Sequence, residues 1–496
     1  MSGLLKRQLV TLAAAVTVLT GSGLLANANA TAATVQAAFG ARAGVFNGSW
    51  GTAQEVPGTA ALNVDGNASV TSMSCASPGD CSAGGWYRDS SGSDQAFVVN
   101  EVGGVWGTAE EVPGTAALNV GGSAAVTSVS CASAGNCSAG GQYSAGSGND
   151  EQMFVVNEVN GVWGTAEEIP GSAVLNAYGF TQFSSVSCAS AGNCSAGGFY
   201  TAAAFETQAF VVSEVNGIWG SAEEVPGSAA LNAQGFAGIG SVSCASAGNC
   251  SAGGWYTDAS INQQALVVSE VSGTWRTAKE VPGTAALNTG GFAQVSSVSC
   301  ASAGNCTAGG EFNNSSSGYQ ALVASEVNGT WRTAKDLPGS AALNAGGDAQ
   351  INSVSCASAG NCVAGGFYAQ ATSSDRQALV ASEVNGVWRN AREVPGSQAL
   401  NAGADAEITA VSCTSAGNCG AGGYYTVNSF YSGYQALVVS DVNGTWKTAK
   451  EAPGTAALNS GSKAEITAVS CAPSAANCDA GGYYADTSGA MQAFVS

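Results

Sequence analysis

Short apolar runs separated by turn residues recur along this chain, and they predict β-strands. In one stretch, residues 126–131 ("VTSVSC") and 137–143 ("CSAGGQY") are β-prone runs joined by "ASAGN", whose Gly-Asn pair supplies a turn. Residues 153–159 ("MFVVNEV") and 162–169 ("VWGTAEEI") then flank Asn160-Gly161, which is a strong hairpin signal. Pro-Gly ends the fourth run. The pattern therefore predicts a unit of four short strands.

Tryptophan marks the interval at which this unit repeats. Within a unit the distances from Trp to Leu of "AALN" and from that Leu to the next Cys are constant, at 12 and 13 residues. Nearly all length variation falls between the second and third predicted strands. Eight units of one size indicate a repeat architecture. The tryptophans, spaced 56 to 58 residues apart, are Trp50, Trp106, Trp163, Trp219, Trp275, Trp331, Trp388 and Trp446.

Four-stranded units in this number favour an all-β fold, an eight-bladed β-propeller of four-stranded blades. The first unit supplies only the strand at Trp50, and the last unit reaches only its third strand, "MQAFVS" (491–496). We therefore expect the N-terminal strand to join the last blade and close the ring. An open solenoid also explains the repeats, but it needs capping units at both ends, and none is visible in the sequence.

The sixteen cysteines form eight close pairs, one in each unit. Two cysteines six residues apart across a hairpin can face each other, so we expect one disulfide per blade and an oxidising compartment. Zinc is the alternative, but it needs two pairs brought together or histidine ligands, and the chain has no histidine. The predicted bonds join Cys75 to Cys81, Cys131 to Cys137, Cys188 to Cys194, Cys244 to Cys250, Cys300 to Cys306, Cys356 to Cys362, Cys413 to Cys419, and Cys471 to Cys478.

The N-terminal segment has the layout of a secretory signal peptide. Lys6 and Arg7 precede an apolar stretch at 9–19 and a small-residue run at 26–30. This apolar stretch of 11 residues is shorter than the about 20 that a spanning helix needs. We expect a signal peptide at 1–30, an N-terminal lead segment at 31–44 and the propeller at 45–496. The protein is predicted to be secreted and extracellular, without membrane insertion.

Composition narrows the chemistry. The absence of histidine excludes Ser-His-Asp and Cys-His catalysis and His-ligated metals. A formal net charge of -20 disfavours a nucleic-acid partner. No cofactor and no metal site are expected, and an enzyme on this chain has to use carboxylates, tyrosines or lysines.

A double glycine follows the second cysteine of every unit. Together with the tryptophans it resembles kelch-type propellers, in which a double glycine ends one strand and a tryptophan marks the outer strand. The chain departs from kelch in its cysteine pair and in an aromatic two residues beyond the glycines, as in repeat-rich secreted bacterial propellers. The resemblance implies the fold and no particular activity. The pairs are Gly84-Gly85, Gly140-Gly141, Gly197-Gly198, Gly253-Gly254, Gly309-Gly310, Gly365-Gly366, Gly422-Gly423 and Gly481-Gly482.

Features present in all eight units are interpreted as scaffold, because one site does not need eight copies. Gly-Gly permits close approach of neighbouring sheets and tolerates positive φ. The aromatic beyond it is expected to fill the space between blades together with Trp. These aromatics are Tyr87, Tyr143, Tyr200, Tyr256, Phe312, Tyr368, Tyr425 and Tyr484.

A unique function is expected where the units differ. The loops between the second and third strands and the crossovers between blades should share one face. Eight residues before the first Cys, three consecutive units carry an aromatic and the next two a carboxylate, with further polar residues two positions later. Solvated loop residues are the alternative interpretation. The predicted ligand-binding residues at the channel mouth are Phe180, Phe236, Phe292, Asp348, Gln350, Asp405, Glu407 and Glu465.

Aromatic faces beside hydrogen-bond acceptors suit a sugar. The sequence therefore favours a secreted, non-catalytic binding module for an extracellular glycan, a cell-wall polymer or a protein. The alternative is a polysaccharide hydrolase or lyase that uses two carboxylates about 5 to 10 Å apart. No catalytic residue is assigned.

Charge is distributed unevenly among the units. "GTAEE" or "GSAEE" follows three of the tryptophans, whereas four others are followed by eight of the 14 Lys and Arg residues. A closed ring would have an acidic half-rim and a basic half-rim, and we expect weak, salt-sensitive self-association. Segmental duplication is the alternative origin of the pattern. The cations are Arg276, Lys279, Arg332, Lys335, Arg389, Arg392, Lys447 and Lys450.

Overall fold

The computed structural model describes residues 46–496 apart from 147–149, 204–205, 373–374, 429–432, 474 and 476. Within these residues the chain folds into eight sheets, which are the blades of a β-propeller. The predicted fold is confirmed. The predicted signal peptide (1–30) and lead segment (31–44) lie outside the described residues. No helix in the described segments is long and apolar enough to span a bilayer.

Three long strands build each blade from the inside outward, in chain order. The first strands are Ala68–Ser77, Ala124–Ser133, Thr181–Ser190, Gly238–Ser246, Ala293–Ser302, Ala349–Ser358, Ala406–Ser415 and Ala464–Ser470. The second strands are Asp80–Arg88, Asn136–Ser144, Asn193–Ala203, Asn249–Thr257, Asn305–Asn314, Asn361–Ala369, Asn418–Thr426 and Asn477–Ala485. The third strands are Asp94–Val102, Glu151–Val159, Glu206–Val215, Gln263–Ser269, Gly318–Val327, Arg376–Val384, Tyr434–Val442 and Met491–Val495. Blades are numbered 1 to 8 in this order.

The fourth, outermost strand is not the continuous run that the sequence predicts. It consists of two short strand pieces in each blade, except in blade 4, where only the second piece is a strand. In blades 1 to 7 the pieces are Val105–Trp106 and Glu110–Glu111, Val162–Trp163 and Glu167–Glu168, Ile218–Trp219 and Glu223–Glu224, Lys279–Glu280, Thr330–Trp331 and Lys335–Asp336, Val387–Trp388 and Arg392–Glu393, and Thr445–Trp446 and Lys450–Glu451. A four-residue helix then leads to the next blade. These helices are Thr59–Leu62, Thr115–Leu118, Ser172–Leu175, Ser228–Leu231, Thr284–Leu287, Ser340–Leu343, Ser397–Leu400 and Thr455–Leu458.

A contact with the preceding blade explains this interruption. Between the two pieces, the backbone N–H of an alanine donates to a proline carbonyl of the preceding blade, at 2.7 to 2.8 Å. The peptide therefore leaves its own sheet and ties two blades together at the rim. The pairs are Ala53–Pro453, Ala109–Pro57, Ala166–Pro113, Ala222–Pro170, Ala278–Pro226, Ala334–Pro282, Ala391–Pro338 and Ala449–Pro395.

A second belt of hydrogen bonds joins the innermost strands. The serine before the first Cys of each blade accepts the N–H of the equivalent Cys in the next blade, at 2.9 to 3.1 Å. The Ser-Cys dipeptide of each repeat therefore links neighbouring blades. The pairs are Ser74–Cys131, Ser130–Cys188, Ser187–Cys244, Ser243–Cys300, Ser299–Cys356, Ser355–Cys413, Ser412–Cys471 and Ser470–Cys75.

Blade 8 closes the ring with residues from both ends of the described chain. Gln54–Glu55 pairs antiparallel with Met491–Val495, as the sequence predicts. Ser49–Trp50 instead runs parallel to the second strand of blade 8. The indole N–H of Trp50 donates to Ser440 Oγ of blade 7 at 2.9 Å.

The double glycines allow neighbouring sheets to touch. A Cβ on Gly84 would lie 2.6 Å from Val126 Cγ1 of the next blade. None of these glycines has a positive φ, so that part of the prediction is wrong. Glycine is required at the first position of each pair because a Cβ there would collide with side chains of the neighbouring blade. The aromatics beyond them are buried, as expected.

Each of the eight predicted disulfides forms within its own blade. In blades 1 to 7 the two cysteines lie directly opposite each other on the first and second strands, with Cα atoms 4.0 Å apart. The bonded pairs are Cys75–Cys81, Cys131–Cys137, Cys188–Cys194, Cys244–Cys250, Cys300–Cys306, Cys356–Cys362, Cys413–Cys419 and Cys471–Cys478.

The disulfide of blade 8 departs from the predicted hairpin geometry. Cys478 lies seven residues after Cys471, not six, and the Cα atoms are 4.2 Å apart. The first strand of this blade ends at Ser470, so the bond joins a residue beyond that strand to the second strand. Cys478 pairs in the sheet with Trp50 from the N-terminal end of the described chain. The bond is as predicted, but the paired strands around it are not the expected two-strand hairpin.

The two-strand hairpin is also an incomplete description of Cys250 and Cys419. Cys250 also pairs with the residue directly after the third strand of its blade, and Cys419 pairs with the third strand itself. The backbone N–H of Cys250 donates to the Glu270 carbonyl at 3.3 Å, and its own carbonyl accepts the N–H of Glu270 at 2.7 Å. Cys419 lies opposite Asp441. Cys250, Cys419 and Cys478 are 4%, 1% and 1% exposed. These cysteines therefore belong to the buried scaffold and not to an accessible site.

Candidate functional site

The crossovers and the loops between second and third strands lie on one face, as predicted. Phe236, in the crossover to blade 4, forms a parallel bridge with Thr207 at the start of the third strand of blade 3. Phe292 and Gln263 repeat this arrangement one blade further on. Since each crossover leads into an innermost strand, these positions surround one end of the central channel. We call this region the channel mouth.

A buried asparagine holds each crossover in place. Asn232, the last residue of "AALN", donates from Nδ2 to the carbonyl of Thr207 at 3.1 Å and to Gln208 Oε1 at 2.9 Å. Its Oδ1 accepts the N–H of Phe236 at 2.8 Å. This asparagine recurs in every unit, while the residue it positions differs. The scaffold therefore presents a variable side chain at a constant backbone position.

Blades 3 to 5 contribute aromatic side chains to the mouth. Phe180 and Phe236 are 47% and 50% exposed, which is unusual for such large apolar groups. Phe180 packs on Phe199, with ring centroids 5.6 Å apart, and Phe199 contacts the edge of Trp255 at 6.4 Å. Phe292 of the next blade packs edge-on against Tyr319 at 5.5 Å. These six residues are the aromatic arc.

Blades 5 to 8 contribute ionisable groups around one arginine. Arg376 forms an ion pair with Asp348 at 2.9 Å, and its guanidinium lies 4.2 Å from the centre of the Phe367 ring. Arg376 also interacts electrostatically with Asp405 and Glu407 of blade 7. The acidic arc consists of Glu311, Asp348, Asp405, Glu407 and Glu465, which interact through Arg376 or with one another.

Tyrosine hydroxyls hold part of the acidic arc. Tyr483 donates to Glu465 Oε2 at 2.7 Å, and Tyr424 donates to Asp405 Oδ1 at 3.4 Å. Tyr424 packs against Tyr434, with centroids 5.1 Å apart. Glu407 makes no side-chain hydrogen bond within the described residues. Its carboxylate interacts electrostatically with Glu465, Arg376 and Asp405 instead.

Burial shifts the protonation of this arc. It raises the pKa of Glu311 and of Glu407 to about 7, and the charge of Glu465 adds to the rise at Glu407. The pKa values of Asp405 and Glu465 are also raised by burial. Gln294 donates to Glu311 Oε1 at 2.8 Å, and Gln350 donates to Ser296 Oγ at 3.2 Å. Near neutral pH the arc offers both hydrogen-bond donors and acceptors.

The eight sequence-predicted residues lie in the crossovers or at the start of the innermost strands of blades 3 to 8, and their role in ligand binding stays a prediction. Phe180, Phe236 and Phe292 belong to the aromatic arc, and the carboxylates belong to the acidic arc. Gln350 is the second residue of the innermost strand that begins directly after Asp348.

Sequence reasoning missed the residue directly after each double glycine. Its side chain faces the side of the sheet opposite to the buried aromatic that follows it. This position of the second strand varies widely among the units, which was the available signal. The residues are Trp86, Gln142, Phe199, Trp255, Glu311, Phe367, Tyr424 and Tyr483. Arg376 was also missed, because nothing local indicates that it pairs with a residue 28 positions away.

Enclosed grooves lie at the other end of the blades, between the cysteine hairpins and the Asn-Gly turns. Their volumes are 330 to 560 Å³. In the groove between blades 4 and 5, Ser251 and Ser269 each donate to Glu326, at 2.9 Å. Between blades 6 and 7 the corresponding residues are Val363 and Asp441, and Asp441 Oδ1 has no partner within the described residues.

Cys75, Cys81 and Asp479 lie close enough together to suggest a metal site. The two sulfur atoms form a disulfide, however, and are not thiolate ligands. This cluster therefore does not bind metal through its cysteines.

No protein-family model matches the chain, and no curated protein matches its sequence. Solved structures are similar to the chain at low identity. Sqt1 from Chaetomium thermophilum is 11% identical, with a TM-score of 0.49, over 90% of this chain and 99% of that one. The β-propeller domain of the Trilobed protease from Pyrococcus furiosus is 8% identical, with a TM-score of 0.40, over 75% and 95%. A Hadza microbial sialidase is 9% identical, with a TM-score of 0.36, over 78% and 66%.

Proposed function

We propose that this protein is a secreted, non-catalytic binding module whose channel mouth holds an extracellular carbohydrate. The observation that carries the proposal is the exposure of Phe180 and Phe236 at the same end of the blades as the acidic arc. A sugar ring offers an apolar face to such aromatics and hydroxyls to carboxylates and amides. Glu407 makes no side-chain hydrogen bond among the described residues, and its ionised form can accept from such a hydroxyl.

Secretion is part of the proposal. Eight disulfides in one chain are typical of oxidising compartments outside the cytosol. The sequence of residues 1–30 supplies the matching export signal. The double glycines and tryptophans support a kelch-type relationship, with the cysteine pair as the distinguishing feature.

The decisive experiment is a binding screen that also measures turnover. Residues 31–496, refolded with disulfides intact, are tested on immobilised xylan, mannan, chitin and cellulose, and the supernatants are assayed for new reducing ends and unsaturated products. We expect retention on one polymer class without product release. Loss of retention in Phe180→Ala/Phe236→Ala would place the binding at the mouth. Failure to bind any of the polymers would reject carbohydrate as the ligand class.

A carboxylate-dependent hydrolase or lyase is the second candidate. The observation in its favour is that Glu311 and Glu407 have pKa values of about 7, because a general acid needs a carboxyl that stays protonated near neutral pH. Product release in the same screen, abolished by Glu407→Gln with binding retained, would favour catalysis.

A further inference from the structure

Eight cationic side chains lie exposed along the outer strands of blades 4 to 7. Each blade contributes two, one directly after its Trp and one on the second short piece of its fourth strand. We call this surface the basic arc. Its members are Arg276, Lys279, Arg332, Lys335, Arg389, Arg392, Lys447 and Lys450.

None of these cations is neutralised by an ion pair within the described residues, where the two ion pairs are Arg88–Asp94 and Arg376–Asp348. The nearest carboxylate along each strand is already engaged inside its own blade. Tyr256 donates to Glu280 at 3.2 Å, and Tyr368 donates to Glu393 at 3.0 Å. Buried carboxylates do face part of the arc, since Lys335 interacts electrostatically with Glu383, and Arg392 and Lys447 with Asp441. All eight cations nevertheless stay exposed to an outside anion.

Three of the grooves between blades open along this arc. The groove between blades 4 and 5 measures 360 Å³ and is lined by Arg276, Lys279 and Trp331. The next measures 560 Å³ and is lined by Arg332, Lys335 and Trp388. The third, of 420 Å³, is lined by Arg389 and Arg392. Successive blades thus repeat one arrangement, a groove with two cations at its edge.

Protection of an exposed sheet edge does not explain the arc. Charge of either sign keeps an edge strand from pairing with another chain. On blades 1 to 3 the position of Lys279 is taken by Glu110, Glu167 and Glu223, and the position of Arg276 by glycine. The two signs are segregated by blade, so the basic arc is specific for negative charge. The chain as a whole has a net charge of -20, so the surface away from the arc disfavours anions.

We propose that the basic arc binds a linear polyanion, a polymer with regularly repeated sulfate, carboxylate or phosphate groups that follows the rim from blade 4 to blade 7. A repeated ligand suits a repeated site, because each further contact is made within a complex that already exists and adds to avidity. This surface is separate from the channel mouth, and its occupancy does not depend on carbohydrate binding there.

The probes are dextran sulfate and polygalacturonate, with uncharged dextran as the control. Binding to residues 31–496 is measured from about 0.01 M to about 1 M NaCl, where the Debye length falls from about 30 Å to about 3 Å. We expect binding to the charged polymers in low salt only. The variant Arg332→Gln/Lys335→Gln/Arg389→Gln/Arg392→Gln should lower the affinity at least tenfold and reduce the slope of log K against log salt by about 3.

The matched control is Glu110→Gln/Glu167→Gln/Glu223→Gln, which changes the equivalent strand on the acidic side. It should alter the affinity by less than about threefold if the arc, and not net charge, determines binding. If the fourfold variant does not fold, Arg276→Gln/Lys279→Gln should still reduce the slope by about half as much.

Three results would overturn the proposal. They are no binding of the wild type in low salt, equal binding by the fourfold variant, and a change in the acidic-side control as large as the change in the basic variant. Sedimentation that shows the cations joining two copies of this chain, with no polymer bound, would assign the arc to the acidic rim of a second copy.

Discussion

The Oγ atom of Ser470 accepts the backbone N–H of Cys75 at 2.9 Å, although the two residues lie 395 positions apart. This contact joins blade 8 to blade 1. It has the same geometry as the contact between Ser299 and Cys356, at 2.9 Å, in the middle of the chain. The Ser–Cys hydrogen bonds that join the innermost strands therefore continue where blade 8 meets blade 1.

Replacement of Ser470 by alanine tests how much this belt contributes. Ser470→Ala leaves the Cys75 N–H without its partner, and we expect the free energy of unfolding to fall by about 1 kcal/mol. Ser299→Ala is the control within the chain and should cost about the same, because the contact is the same. Denaturant unfolding followed by tryptophan fluorescence measures both. A loss confined to one of them would show that the blade boundaries are not equivalent.

Exposed aromatics at the mouth should serve binding and not stability. Phe180→Ala/Phe236→Ala is expected to abolish retention on the polysaccharide that the screen identifies, with a change in unfolding free energy within about 1 kcal/mol. Phe183→Ala is the contrasting variant, since Phe183 is fully buried, and it should cost about 3 to 5 kcal/mol. A large loss of stability in the mouth variant with unchanged binding would show that these residues belong to the core.

The acidic arc predicts a pH dependence of stability. Burial raises the pKa of Glu407 to about 7 from its ordinary value of 4.5, with Glu465 adding to the rise and Arg376 opposing it. A raised carboxyl pKa stabilises the fold below the unfolded value, and this contribution is lost as the pH rises through the folded value. The free energy of unfolding should therefore decrease from about pH 5 to about pH 8.

Glu407→Gln isolates the contribution of this residue from those of the other buried carboxyls. The variant should lose on the order of 1 kcal/mol of that decrease. Urea unfolding across the pH range gives both curves. Parallel curves for the wild type and the variant would show that Glu407 does not titrate in this window.

In the groove between blades 6 and 7, the buried Asp441 Oδ1 has no hydrogen-bond donor among the described residues, and substitutions can supply one. Asp441 is almost fully buried, and Val363 stands where blades 1 to 5 have a serine or threonine that donates to the carboxylate of the next blade. Val363→Ser/Asp441→Glu restores the arrangement of the neighbouring grooves and should stabilise the protein by about 1 kcal/mol. The reverse change, Ser251→Val in the groove of Glu326, should destabilise it by about 1 to 3 kcal/mol. Calorimetry on both variants is the measurement, and stabilisation by Ser251→Val would contradict this account.

The strands, the disulfides and the closure of the ring could be predicted because their signals are local and recur eight times. Alternation gives each strand, Asn-Gly gives each hairpin, and a six-residue spacing places Cys131 opposite Cys137. The contacts between blades could not be predicted in this way. Nothing near Ser130 indicates that its hydroxyl accepts from Cys188, and nothing near Cys478 indicates that it pairs with Trp50.

The channel mouth was partly predictable for the same reason. Phe180 and Asp348 stand out because other units have different residues at those positions. The position of Phe199 and Glu311 shares a strand with the constant aromatic, and its own variation was hidden by that neighbour. Arg376 lies next to a loop of variable length, where alignment of the units fails, so its ion pair with Asp348 emerges only from the folded chain.

The composite blade 8 has a consequence for the order of events during synthesis. Tyr484 donates to Glu55 at 3.0 Å across 429 residues, so the outer strand of this blade leaves the ribosome early and finds its partner only after seven other blades have been made. Contacts of such long separation slow the final step of folding. Until that step, the nascent ring is open at one boundary and exposes two unpaired faces, which are prone to aggregation.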